Sequence, residues 1–80
     1  MLELYQIENC PYCQVVRQKM TELGLSYVAH NRTNPETSKE LMDLGGKTQV
    51  PMLVDPNHDL VLYESEDIIK HLETHYGKQS

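Results

Sequence analysis

Apolar residues fall along this chain in short groups set apart by capping and turn residues. Leu2 to Ile7 mixes apolar and polar positions in the manner of a short strand, which Asn9-Cys10-Pro11 breaks. Asn9 is the expected N-cap of a helix and Pro11 suits its first turn. Val15, Val16, Met20 and Leu23 mark that helix's apolar face, and Gly24 stops it. Leu25 to Ala29 reads as a second strand, so the chain opens with the strand–helix–strand unit of a parallel pair. Asn34-Pro35 repeats the cap-then-proline signal, and the helix it opens carries Leu41, Met42 and Leu44 before Gly45-Gly46 ends it.

Pro51-Met52-Leu53-Val54 and Leu60-Val61-Leu62-Tyr63 are short apolar strands around the turn Asp55-Pro56-Asn57-His58-Asp59, a hairpin. Ser65 is then expected to cap a last helix, with Glu66 and Asp67 in the first turn where the macrodipole favours acids. Ile68, Ile69, Leu72 and Tyr76 form its inner stripe and Gly77 its end. The order β-α-β-α-β-β-α implies an α/β fold of thioredoxin-like type, a four-stranded mixed sheet flanked by three helices. With 80 residues there is room for one domain, expected over 1–80.

Composition narrows the function. Hydrophobic residues at 39% and charged ones at 24% suit a globular domain rather than a disordered one. A net charge of −5 disfavours nucleic acid or an anionic membrane as partner. No apolar run approaches the ~20 residues that cross a bilayer. The N-terminus lacks a basic segment followed by an apolar one, so a signal peptide is not expected and a cytoplasmic location is.

The only cysteines are Cys10 and Cys13. A disulfide-stapled mini-protein would spread more of them along the chain, and so short a loop constrains an unfolded chain little. A thiol attacks a disulfide as thiolate, and Cys10 falls where the first strand turns into the first helix, facing unpaired N–H groups and the positive dipole end. Cys13, about one turn on, can attack a mixed disulfide formed on Cys10. Zinc is the competing reading of this spacing and needs two more ligands. His71 and His75 are spaced as a helical metal pair but lie far beyond the ~12-residue spacer of a zinc finger, and a solvated helix face accounts for them. No metal is expected.

Three segments resemble a known family. Cys10-Pro11-Tyr12-Cys13 after a first strand resembles the dithiol motif of glutaredoxins, and Thr48-Gln49-Val50-Pro51 is similar to the segment they place opposite it, with Pro51 in a cis peptide. Leu62-Tyr63-Glu64-Ser65-Glu66-Asp67-Ile68 resembles the helix start of glutathione transferase N-terminal domains and of two-domain bacterial glutaredoxins. The resemblance implies a glutathione-dependent thiol–disulfide oxidoreductase with glutathione as co-substrate, Cys10 as nucleophile and Cys13 as resolving thiol. It implies that the Val50 main chain pairs with the cysteinyl part of glutathione beside Pro51. Glu64, Ser65 and Glu66 would hold the γ-glutamyl end, Tyr12 would flank the tripeptide, and Lys47 would meet the glycyl carboxylate.

Ser65, Glu66 and Asp67 would also serve as cap and dipole-compensating acids with no ligand present, and Lys47 as a solvated loop residue. Many glutaredoxins carry a basic residue shortly before the first cysteine, where this chain has Gln6, Ile7 and Glu8. The sequence also stops at Ser80, so the transferases' helical second domain is not expected. Expected partners are disulfide-bonded or glutathionylated proteins, met by a monomer. A [2Fe–2S] carrier using Cys10 and glutathione, and a redox protein reduced directly by thioredoxin reductase, are the competing functions.

Overall fold

A computed structural model of the chain describes residues 1–77. The strands are β1 (Leu2–Gln6), β2 (Tyr27–Asn31), β3 (Met52–Asp55) and β4 (Leu60–Tyr63), and the helices are α1 (Pro11–Glu22), α2 (Pro35–Gly45) and α3 (Ser65–Tyr76). They follow the expected order β-α-β-α-β-β-α. The sheet runs β2-β1-β3-β4, with β1 parallel to β2 and antiparallel to β3, and β3 antiparallel to β4. This mixed sheet is the thioredoxin-like arrangement, and the last three of the 80 residues lie outside the description.

Strand alternation divides the core into two layers. Leu2, Leu4 and Leu53 point to one face and pack with Val16 and Met20 of α1 and Ile68 and Leu72 of α3. Tyr5 and Met52 point to the other and pack with Leu41 of α2. Register makes the first layer continuous, since Leu4 pairs with Leu53 and Leu53 with Leu62. The same alternation turns Asp55, two residues after Leu53, toward α3.

Several local expectations need correction. The buried stripe of α1 is Cys13, Val16 and Met20, at i, i+3 and i+7, which leaves Val15 exposed. On α2 the buried positions are Thr37 and Leu41, four apart, while Met42 and Leu44 face solvent. β2 starts at Tyr27 rather than Leu25, because the Leu25 N–H bonds back to the Met20 carbonyl (2.9 Å) and belongs to the helix end. Cys10, not Asn9, holds the N-cap position of α1, and Pro11 opens the helix. Asn34 does cap α2, accepting from the Glu36 N–H at 2.9 Å. Ser65 does not cap α3: Glu64 occupies that position with φ 68° and ψ 118°, and Ser65 is already helical.

Candidate functional site

Cys10 is placed by the end of β1 and the start of α1. Its backbone is extended, and its carbonyl accepts the Gln14 N–H at 2.9 Å, closing the first helical turn. The sulfur therefore faces the amides of that turn. Partial burial alone would raise the Cys10 thiol. Hydrogen bonds from the Cys13 backbone, the Cys13 side chain and the Tyr12 backbone, with the charge of Arg32, outweigh it and hold the pKa below the ordinary value. Cys13 lies on the inner stripe of α1, fully buried. Burial pushes its pKa up to about 11; an Ile7 backbone contact opposes this, the neighbouring Cys10 adds to it, and Arg17 opposes it. Both cysteines are free thiols.

The basic residue missing from the sequence before Cys10 is replaced by two arginines from elsewhere. Arg17, one helix stripe over, donates to Gln6 Oε1 and to the carbonyls of Ile7 (3.2 Å) and Glu8 (3.0 Å), strapping the loop that carries Cys10. Arg32 follows β2, where its N–H bonds to the Gln6 carbonyl (2.9 Å) and its guanidinium to the Thr48 carbonyl (3.3 Å). The parallel pairing of Gln6 with Asn31 brings it to the cysteine end of the sheet, a placement that spacing along the chain does not reveal.

A cleft of about 600 Å³ opens beside this loop, lined by Tyr12, Gln49, Val50, Glu64, Ser65, Glu66 and Asp67. Its size suits a small-molecule ligand. Of the residues expected to bind ligand, the cleft thus gathers Tyr12, Val50, Glu64, Ser65 and Glu66, and adds Gln49 and Asp67. Pro51 is buried directly behind Val50, and the peptide between them is cis. Gln49 Nε2 donates to Glu64 Oε2 at 2.9 Å, tying the loop before β3 to the start of α3. Glu64 adopts a backbone conformation that residues with side chains seldom take, and such strain concentrates at ligand sites.

Lys47 does not line the cleft. Its ammonium lies over the Tyr63 ring, 5.0 Å from the centroid. The Tyr63 hydroxyl accepts the Lys47 N–H (3.1 Å) and donates to the Lys47 carbonyl (2.7 Å), so the loop is pinned by its backbone. Gly45 makes this possible, because a Cβ there would collide with the Tyr63 hydroxyl. Tyr63, Gln49 and Arg32 are not legible as site residues: Tyr63 and Gln49 fall inside two of the family-like segments but neither side chain is given a role there, and Arg32 lies in no motif.

Of the two helical histidines, His75 is exposed as expected and His71 is not. His71 is buried, not solvated: its Nε2 lies 2.8 Å from Asp55 Oδ2 at the far end of β3.

The comparisons with known proteins agree with this architecture. The family model described as the glutathione S-transferase N-terminal domain matches residues 4–80. Among curated proteins, a stringent starvation protein A homolog of Histophilus somni is 34% identical over 65 residues, covering 81% of this chain and 30% of that protein. Its counterpart in Haemophilus ducreyi is 32% identical over 77 residues, covering 95% and 35%. The chain therefore spans about a third of the length of these relatives. Among solved structures, a glutathione transferase homolog of Drosophila mojavensis with bound glutathione superposes with a TM-score of 0.83 at 27% identity, over 98% of this chain and 36% of that one. A glutathione S-transferase of the Antarctic clam Laternula elliptica gives 0.82 at 28%, over 96% and 36%. An epsilon-class enzyme of the housefly Musca domestica gives 0.84 at 22%, over 99% and 37%, which shows the shared fold.

Proposed function

The chain belongs to the glutathione S-transferase N-terminal domain family, and from that premise we propose that it acts as a glutathione-dependent thiol–disulfide oxidoreductase of glutaredoxin type. The observation that carries the reading is the division between its thiols: a partly exposed Cys10 with a lowered pKa beside a buried Cys13 raised to about 11. Near neutral pH the first is the better nucleophile and the second is kept protonated.

In the proposed reaction the Cys10 thiolate attacks one sulfur of a disulfide, forming a mixed disulfide and expelling the other sulfur as a thiolate that takes up a proton. For a glutathionylated protein, Cys10 takes the glutathionyl sulfur and releases the protein thiol. A second glutathione, as thiolate, then displaces Cys10 and leaves as oxidised glutathione. For a protein disulfide, Cys13 gives up its proton and resolves the mixed disulfide, and two glutathiones later reduce the Cys10–Cys13 bond.

The cleft supports glutathione as the reductant. Ser65 and the first-turn amides of α3 suit the γ-glutamyl carboxylate, while Glu64 and Glu66 suit its ammonium. Val50 lines the same cleft as Tyr12 and these residues, and its main chain suits pairing with an extended cysteinyl backbone. The glutathione bound in the Drosophila mojavensis neighbour supports glutathione as the ligand. Lys47, held over Tyr63 outside the cleft, has no part in this reading.

The test is reduction of a glutathionylated peptide by the purified chain, coupled to glutathione reductase and NADPH. Saturable dependence on glutathione is expected. Turnover only with thioredoxin reductase, or none with either reductase, would overturn the proposal.

A further inference from the structure

Away from the cleft, at the opposite ends of β3 and α3, four ligand-type side chains converge. Asp55 is the last residue of β3 and fully buried. Its Oδ2 lies 2.8 Å from His58 Nδ1 in the β3–β4 turn, 2.8 Å from His71 Nε2 on α3, and 2.8 Å from the Tyr76 hydroxyl. The ligand atoms of Asp55, His58 and His71 all lie within 4.8 Å of one another. His75, one helical turn beyond His71, sets its ring, tilted, 4.3 Å from that of His58 and 4.6 Å from that of His71, centroid to centroid.

We propose that Asp55, His58 and His71 bind a zinc(II) ion, with His75 as the fourth ligand. Two or three imidazoles and one carboxylate are the nitrogen and oxygen donors that zinc takes, each at about 2.0–2.2 Å. Zinc in a tetrahedron of such bonds sets its ligand atoms roughly 3.3 Å apart. The present 2.8 Å contacts to Asp55 therefore open by about half an ångström to admit the ion, while the two imidazole nitrogens, within 4.8 Å of one another, draw together around it.

The carboxylate is already oriented for this. Its other oxygen, Oδ1, accepts the Asn57 N–H at 3.0 Å, and Tyr76 holds Oδ2, the kind of outer hydrogen bonds that fix a ligating carboxylate. Three side-chain groups also crowd onto Oδ2 alone, which is more than its two lone pairs accept with good geometry. A cation among them would take over the two imidazole nitrogens. His58 and His75 are exposed, so the ion has an entry path from solvent while Asp55 and His71 form the buried floor.

Two thiolates at this spacing are also a zinc-ligand pattern, so the experiment separates the two ends of the molecule. The chain is oxidised to its Cys10–Cys13 disulfide, which removes the thiolates without a substitution, and zinc is titrated against a chromophoric chelator. One zinc per chain is expected, with a rise of the thermal midpoint on loading. His58→Ala and His75→Ala, both at exposed positions, are expected to weaken binding at least tenfold, while Lys70→Ala on the outer face of α3 leaves it unchanged. Cobalt(II) in the oxidised chain is expected to show the strong visible bands of four-coordination without a thiolate-to-cobalt band. Zinc binding seen only in the reduced chain, or affinity indifferent to His58→Ala and His75→Ala, would overturn the proposal. Circular dichroism in chelator confirms that each variant is folded before it is scored.

Discussion

The two ends of α3 meet the rest of the molecule in opposite ways. At its start, Glu64, Ser65, Glu66 and Asp67 face an open cleft, Glu64 sits in a strained conformation, and its side chain reaches across to Gln49. At its far end, His71 and Tyr76 close on a single buried carboxylate whose oxygens also take His58 and the Asn57 amide. The first end is left partly unpaired, which suits ligand exchange. The second is saturated, and among the described residues no buried side-chain polar atom lacks a partner. The same helix thus carries a site that can afford strain because the opposite end is tightly bonded.

The largest expected effect lies at the cleft end. Cys10→Ser is expected to abolish reduction of glutathionylated peptide, because Cys13 is buried and protonated near neutral pH. Cys13→Ser is expected to keep that reaction, where glutathione resolves the intermediate, and to lose most protein-disulfide reduction. The coupled assay with each substrate distinguishes them, and an active Cys10→Ser would reverse the assignment.

Next comes the saturated end. Burial alone would raise the Asp55 pKa, but the hydrogen bonds from His71, Tyr76, His58 and Asn57 hold it down to about 2. Asp55→Ala strips the partner from the buried His71 and from Tyr76, and is expected to cost about 3 kcal/mol or more in metal-free protein. Urea denaturation measures it, with activity per folded molecule expected to change little. A cost under about 1 kcal/mol would show that the carboxylate does not anchor this end.

The thiols themselves predict a pH signature, a difference in stability between reduced and oxidised chain. Cys10, with a folded pKa below its unfolded one, contributes stability that grows as pH rises from the folded value toward about 9. Cys13, raised to about 11, contributes stability present below about 9 and lost as pH climbs through 11. The difference should therefore crest near pH 9. Tyr5, pushed up to about 12 by burial and by Glu40 and Glu3, titrates in both redox forms and cancels. A flat difference across this window would contradict the division of labour between the thiols.

The two ends also differ in how far they can be read from sequence. The element order was legible because its signals are local: Asn34-Pro35 caps a helix where expected, and apolar runs mark β1, β3 and β4. The dithiol was legible as a motif. Arg32 was not, because it reaches Cys10 only through the parallel pairing of β1 and β2. Asp55 was not either. It opens Asp-Pro-Asn-His-Asp, whose residues read as an exposed turn, while its partners His71 and Tyr76 lie 16 and 21 residues away. Ser65 reads as a cap in the sequence because the backbone of Glu64, which decides the point, carries no sequence signal.

That correction makes Ser65→Ala a clean probe. With no cap to lose, its stability should stay within about 0.5 kcal/mol of wild type. Glutathione binding should weaken by about 0.5–1.5 kcal/mol, the net worth of one neutral hydrogen bond. An unchanged KM for glutathione would remove Ser65 from the recognition site.

The smallest expected effect tests the comparison most directly, because it sets strain against binding at one residue. Glu64 holds φ 68° with ψ 118°, a region that glycine enters at no steric cost. Glu64→Gly should relieve part of a strain of order 1–3 kcal/mol. The extra freedom of glycine in the unfolded chain takes back about 0.5–1 kcal/mol. The loss of the Gln49 contact, half exposed, subtracts little more. A net gain of up to about 1 kcal/mol is therefore expected, with a higher KM for glutathione because the carboxylate proposed to face its ammonium is gone. Glu64→Ala separates the two effects: it loses the same carboxylate but keeps the Cβ, so KM should rise alike while no stability is gained. If Glu64→Gly destabilises the fold as much as Glu64→Ala, the start of α3 stores no strain, and the contrast between its two ends reduces to burial alone.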